Sequence, residues 1–117
     1  QLIDPKDIVE GKALGKNIRQ SDPEVIYITI QNVIGVLRDE TGKDDYELSD
    51  SSKKKLVNTC RWCVDIGRQK TDYGIIACRD IIKSLDSSVK EFIISKEFRE
   101  MCPEFLKFAQ DKSNVTS

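Results

Sequence analysis

The chain contains no histidine. That absence removes the commonest general base and the commonest metal ligand together, and it deprives any cysteine nucleophile of its usual activating partner. No run of about 18 apolar residues is present, which excludes a membrane-spanning helix. No basic stretch leads into an apolar one at the amino end, as a secretory leader would, and Gln1 as first residue raises the expectation of a chain trimmed from something longer. The six glycines are scattered, with neither phosphate-loop nor dinucleotide-binding spacing. Charge of one sign is also lacking: 19 basic and 20 acidic residues leave a net of −1, which argues against a surface built wholly for nucleic acid. What remains is a globular composition, 38% hydrophobic and 33% charged over 117 residues, sufficient for one domain with one modest core.

The balanced total conceals a gradient. Residues 1–50 hold 11 acidic and 6 basic residues, a net of −5, whereas residues 51–90 hold 9 basic and 4 acidic, a net of +5. Such a dipole can orient a partner or draw the two ends of the chain together. Four cysteines, Cys60, Cys63, Cys78 and Cys102, each fall in a helical apolar stripe, where a free thiol acts as a small buried hydrophobe. This implies a reduced protein, intracellular, in cytoplasm or nucleus. Asn114-Val115-Thr116 matches a glycosylation acceptor and points the other way, on a motif short enough to arise by chance.

Start and stop signals divide the chain into helices. Asp4-Pro5 sets an N-cap before a proline suited to the first helical position, and Ile8, Val9 and Leu14 follow. Gly11 and Gly15 weaken this helix, so residues 1–20 are expected to be only weakly structured. The stretch "SDPEVIYITIQNVIGVLRDE" alternates like a strand at Ile26, Ile28 and Ile30 yet has helical spacing at Ile26, Ile30, Val33, Ile34 and Leu37. Capping-box spacing between Ser21 and Glu24, Pro23 just inside the start and the stop at Thr41-Gly42 decide for a helix. With Val36 added, its apolar arc predicts a helix covered on several sides, supplying a large share of the core. Residues 39–52 read as an acidic connecting loop, in which Tyr46, Ser49, Ser51 and Ser52 are candidate phosphate acceptors. A further helix begins near Ser51 or Ser52 with Leu56, Val57, Cys60, Cys63, Val64 and Gly67 on one face. Thr71-Asp72 and Asp86-Ser87-Ser88 cap the next two, and Pro103 predicts a kink or a junction of two helices at Cys102. Residues 111–117 read as a flexible tail. No convincing strand is left, so residues 1–117 form a single all-α domain of five to seven helices.

Shifting the sequence by 48 positions lays Ile28, Ile30, Val33, Ile34 and Leu37 on Ile76, Cys78, Ile81, Ile82 and Leu85. Helical repeats have a period of about 40–47 residues. "SDPEVIYITIQNVIGVLRD" resembles the opening helix of a HEAT-type repeat. "IIACRDIIKSLDSSVKEFIISKEFREMCPEFLKFAQ" resembles an armadillo repeat or the similar passage of VHS-type domains, although Lys96-Glu97 stands where armadillo turns often carry glycine. The resemblance covers about half the chain and implies a compact right-handed α-solenoid-like domain that holds other proteins. A helical bundle of other ancestry, including a Bcl-2-like fold, gives much the same pattern.

No catalytic constellation emerges. Asp44-Asp45 with Glu47, and Asp72 with Asp80, are the available carboxylate pairs, and solvated loops and helix faces account for such groupings. Cys60-Arg61-Trp62-Cys63 has metal-knuckle spacing, and Cys78 and Cys102 bring the thiols to four. It lies in a helical stripe rather than on the tight turns of a zinc ribbon, so core packing is the expected role. No metal and no cofactor are expected. The expectation is a non-enzymatic protein–protein interaction module, an adaptor or scaffold, binding an acidic peptide or helix in a groove with a basic rim. Lys53, Lys54, Lys55, Arg61, Arg68, Lys70, Arg79 and Lys83 form the basic set, and antiparallel helices would bring Arg61, Arg68 and Arg79 onto one surface. Arg61, Trp62, Arg68, Lys70, Arg79 and Lys83 are the candidate binding residues. Trp62, about 100° from Cys63 around the helix, reads either as a tryptophan at the core's edge or as an exposed anchor at that rim. The alternative is a small nucleic-acid-associated domain using the basic helices of residues 53–83, although aromatics able to stack on bases are few there.

Overall fold

The first described helix, α1 (Pro5–Val9), is opened by local chemistry: the Asp4 carboxylate accepts from the Lys6 N–H at 2.9 Å, and Pro5 supplies the first helical φ. Gly11, at φ +81°, turns the chain out of the helix, a conformation that glycine adopts without penalty. The computed structural model describes residues 4–12, 22–42 and 48–110, and these contain helices without strands. After α1 come α2 (Pro23–Thr41), α3 (Asp50–Gln69), α4 (Thr71–Ser84), α5 (Ser87–Ile93), α6 (Lys96–Met101) and α7 (Phe105–Gln110). The expectations resting on Leu14, Gly15, Ser21, Asp44, Asp45, Tyr46, Glu47 and residues 111–117 fall outside the described residues.

Each remaining boundary has a local cause. The Ser49 hydroxyl accepts from the Ser52 N–H at 3.1 Å and opens α3. Lys70 alone separates α3 from α4; its extended backbone (φ −142°, ψ 100°) breaks the helix, yet its N–H still reaches the Ile66 carbonyl at 2.7 Å. The Ser95 hydroxyl accepts from the Phe98 N–H at 3.3 Å and opens α6. Pro103 makes Cys102–Glu104 a corner between two helices rather than a bend in one. The acidic connection is shorter than residues 39–52. Residues 39–41 complete α2 and residues 50–52 begin α3, because Gly42 and Ser49 supply the stop and the start.

The helix covered on most sides is α3, not α2. It packs against α1, α2, α4 and α7. Leu56, Val57, Thr59, Cys60, Trp62, Cys63, Val64, Ile66 and Gly67 are all buried along it. α2 keeps a wet face: Ile26, Ile30, Val33, Ile34 and Leu37 are buried, Val36 is half-buried, and Ile28 is 49% exposed. Two residues along a helix is about 200° of rotation, so Ile28 cannot share the face of Ile26 and Ile30. Of the pairs related by 48 positions, Ile30 with Cys78, Val33 with Ile81 and Leu37 with Leu85 are buried in both members. Buried threonines stay satisfied by bonding back along their own helices: Thr29 to the Val25 carbonyl at 2.7 Å and Thr41 to that of Leu37 at 2.9 Å.

α3 and α4 approach each other closely at a pair of glycines. The α-carbon of Gly67 stands only 2.3 Å from where a β-carbon on Gly74 would sit. An edge-to-face chain of rings, Phe92 to Phe98 at 5.6 Å and Phe98 to Phe105 at 5.7 Å, ties α5, α6 and α7 into one wall. The corner between α6 and α7 faces α3 across a groove.

Candidate functional site

Because α3 is enclosed elsewhere, its solvent-facing residues make one narrow stripe. Lys54, Arg61 and Arg68 are exposed along it at intervals of seven residues, or two helical turns and about 10.5 Å. Where this stripe meets the corner between α6 and α7 there is a groove of about 340 Å³, lined by Arg61, Val64, Asp65, Arg68 and Met101 through Glu104. Val64, Met101, Cys102 and Pro103 furnish apolar surface, and the two guanidiniums stand on its α3 side.

The arginines are held differently. Arg68 pairs with Glu104 at 2.5 Å, and that carboxylate raises the guanidinium's pKa above its ordinary value. Arg61 has no carboxylate partner among the described residues; one of its nitrogens donates to the Met101 carbonyl at 3.3 Å. A guanidinium has five N–H donors in a planar fork suited to a carboxylate, so most of the donor capacity of Arg61 is unspent. Exposed cations are common on this surface. What distinguishes Arg61 is the apolar floor beside it.

The other basic residues are dispersed. Arg79 donates to the Ala109 carbonyl at 3.2 Å, bracing α7 at the end opposite to the one Arg68 holds, and it does not line the groove. Lys70 lies over the Tyr73 ring at 5.5 Å, at the corner of α3 and α4. Lys83 is exposed in the last turn of α4. Lys53 pairs with Glu97 at 3.4 Å and Lys55 with Glu40 at 2.7 Å, so both fasten helices together. The candidate set therefore reduces to Arg61 and Arg68.

Trp62 is corrected outright as a rim residue. It is 2% exposed, among the largest fully buried side chains. One residue, or about 100° of helix, separates it from the exposed Arg61, and on a helix wrapped by four others that rotation leads into the core. Ser52 is likewise unsuited to modification in this fold: it is 4% exposed, and its hydroxyl donates to the Glu40 carbonyl at 3.4 Å. Ser49 serves as a cap and Ser51 is exposed.

The four thiols are free and buried. Burial pushes Cys60 well above the ordinary thiol value, a hydrogen bond with Cys78 together with burial does the same for Cys63, and burial lifts Cys102 to about 11. Thiols so shifted stay protonated near neutral pH and react slowly. Among the described residues no group of three or more cysteine or acidic side chains is arranged to hold a metal ion. No helix there is long and apolar enough to cross a membrane.

A larger cleft of about 430 Å³ lies between the end of α2 and the α4–α5 joint. Arg38, Asp39, Thr41, Ser84 and Asp86 line it, with only Leu85 as apolar surface of any size. A binding site for another molecule combines an apolar bed with a few convergent polar groups, and the smaller groove has that character. Spacing alone could have revealed the Lys54–Arg61–Arg68 stripe, whereas the contribution of Met101 and Glu104 depends on how α6 and α7 return to α3. Comparison with known proteins returns nothing significant: no family model, no curated protein and no solved structure matches this chain.

Proposed function

We propose that the protein is a non-enzymatic interaction module, an adaptor or scaffold, that takes an acidic peptide or helix of a partner protein into the groove between α3 and the α6–α7 corner. One observation carries the reading: Arg61, exposed and without a carboxylate partner among the described residues, stands beside an apolar floor with a second arginine two turns away. Arginine is among the residue types enriched at the hot spots of protein interfaces. A histidine-free chain with protonated, buried thiols supports a binding role over a catalytic one. The same thiols favour a reducing, intracellular setting. The single-residue joint between α3 and α4, and the matched burial at an offset of 48, are compatible with a solenoid of armadillo or HEAT type.

Selection from a displayed random-peptide library tests the reading directly. Binders are expected to place aspartate or glutamate around an apolar residue and to lose their hold on Arg61→Ala protein. Selected peptides without acidic enrichment, or with undiminished binding to the variant, would refute it.

A further inference from the structure

The groove is already in use by its own chain. Met101 through Glu104 passes beside α3, giving a backbone carbonyl to Arg61 at 3.3 Å and a carboxylate to Arg68 at 2.5 Å. One short piece of chain thus contacts both guanidiniums, which stand two helical turns apart, and leaves most donors of Arg61 unspent. At Cys102 the backbone leaves the helical region, φ −146° and ψ 74°, and Pro103 and Glu104 form a turn. A carbonyl and a carboxylate offered side by side are what an acidic peptide would bring.

We propose that Glu104 is a built-in competitor: its carboxylate holds the place on Arg68 that a partner's acidic side chain takes, so the groove is self-capped until such a partner displaces it. The inference rests on the docking reading above and adds the group that regulates it. Three features support displacement rather than a fixed structural role. The Arg68 and Glu104 side chains are 62% and 45% exposed, so water and ligands reach both. Exposed pairs of this kind exchange one carboxylate for another at little cost. Glu104 also precedes the first residue of α7, so its side chain can swing aside without unwinding a helix. The other charge beside these arginines is Asp65, which accepts from Gln69 at 3.3 Å along its own helix and also acts on Arg68 through its field, an interaction that remains when Glu104 moves aside. A partner carboxylate therefore replaces one interaction and gains the free fork of Arg61.

The test uses the full chain and a short fluorescein-labelled peptide of two leucines flanked on each side by glutamates, read by fluorescence anisotropy at low salt. Glu104→Gln is expected to bind it about two- to fivefold tighter than the parent, the range that release of one exposed ion pair allows. The gain is expected to shrink at about 0.5 M salt, where surface charges are screened. Arg61→Gln weakens binding in either background. Glu100→Gln, which removes the same charge one turn earlier on exposed surface, is the control; a gain equal to that of Glu104→Gln would assign the effect to net charge and overturn the proposal. Binding that Arg61→Gln weakens but Glu104→Gln leaves unchanged overturns self-capping alone and spares the docking reading. Absence of binding by parent and Glu104→Gln alike overturns both. None of these side chains is buried, so melting temperatures within about 4 °C of the parent are expected throughout.

Discussion

Replacing Gly74 by alanine adds a single methyl group, and it should do disproportionate harm. The new β-carbon would lie 2.3 Å from the α-carbon of Gly67 and 2.6 Å from its nitrogen. Non-bonded carbons settle at about 3.5–4.0 Å, so α3 and α4 must part by more than 1 Å, roughly, at their crossing. The obstacle is backbone within a helix packed by four others, and no side-chain rotation relieves it. A gap of about 0.5–1 Å already forfeits a quarter to a half of each dispersion contact, and this is the joint that buries Cys63, Ile66, Ile75 and Cys78. Ordinary overpacking costs about 1–3 kcal/mol, and a backbone clash lies at or above the top of that range. Alanine returns about 1 kcal/mol of helix propensity. The net expectation is a loss of about 2–4 kcal/mol, a large part of the 5–15 kcal/mol that typically holds a domain together. In melting temperature that is a fall of roughly 8–16 °C for a chain of this size.

Gly35 provides the internal control. It lies within α2, and a β-carbon there would meet nothing within 4 Å. Gly35→Ala should therefore gain about 0.5–1 kcal/mol by restricting the unfolded chain and favouring the helix. Gly67→Ala should fall between the two, because its added carbon meets the Phe108 ring at 2.7 Å and a half-buried ring can turn aside. Urea titrations followed by helical circular dichroism give all three values. A Gly74→Ala protein as stable as the parent, with Gly35→Ala also neutral, would mean that α3 and α4 do not cross at this pair.

Two further predictions concern the core. Trp62 is the only tryptophan and is 2% exposed, so native emission should be blue-shifted and resistant to acrylamide quenching; Trp62→Ala should cost about 3–5 kcal/mol, and emission typical of tryptophan in water would contradict its burial. The Cys102 thiol has its pKa raised from 9.0 to about 11, so the folded state resists ionisation that the unfolded chain permits. Stability is then fully present below about pH 9 and is lost progressively as pH rises towards 11, by about 2–3 kcal/mol for this thiol. Cys60 and Cys63, shifted the same way, steepen the loss. Urea midpoints at about pH 8 and about pH 10 measure it, with Cys102→Ala expected to flatten the difference, and an unchanged slope in that variant would refute the assignment.

Helix-breaking and helix-starting residues made most helix boundaries legible, because they act over a few residues, although α2, α4 and α5 open without a side-chain cap hydrogen bond. Asp4-Pro5, Pro23, Thr71, Asp86 and Pro103 each lie within a residue or two of an observed start or break. The identity of the central helix was not legible. Isoleucines in α2 advertise hydrophobicity, whereas α3 fills the middle with Thr59, Cys60, Cys63 and Gly67, small residues that let neighbours come close. Counting apolar side chains rewards bulk, and close approach requires the opposite. The error over Trp62 has the same root: its distance from one stripe matters only where the rest of the helix is wet. The Lys54–Arg61–Arg68 stripe could be counted from the sequence, but Glu104 and Met101 lie more than 30 residues from the arginines they meet. No local pattern encodes that return.

The burial of α3 also bears on why the groove lies where it does. A helix enclosed by four others has only one side on which to present charge, so Lys54, Arg61 and Arg68 are confined to a line by the packing itself. Their spacing is then fixed by helix geometry rather than by flexible side-chain positions, and Gly67 and Gly74 lock the rotation of α3 against α4. Any roll of α3 moves Trp62 and Arg61 together, since about 100° per residue fixes the angle between them. Core packing and the proposed binding surface are therefore linked through this helix. Substitutions at the glycine crossing should weaken acidic-peptide binding even in protein that remains folded, and retention of full affinity by a folded Gly67→Ala protein would separate the two.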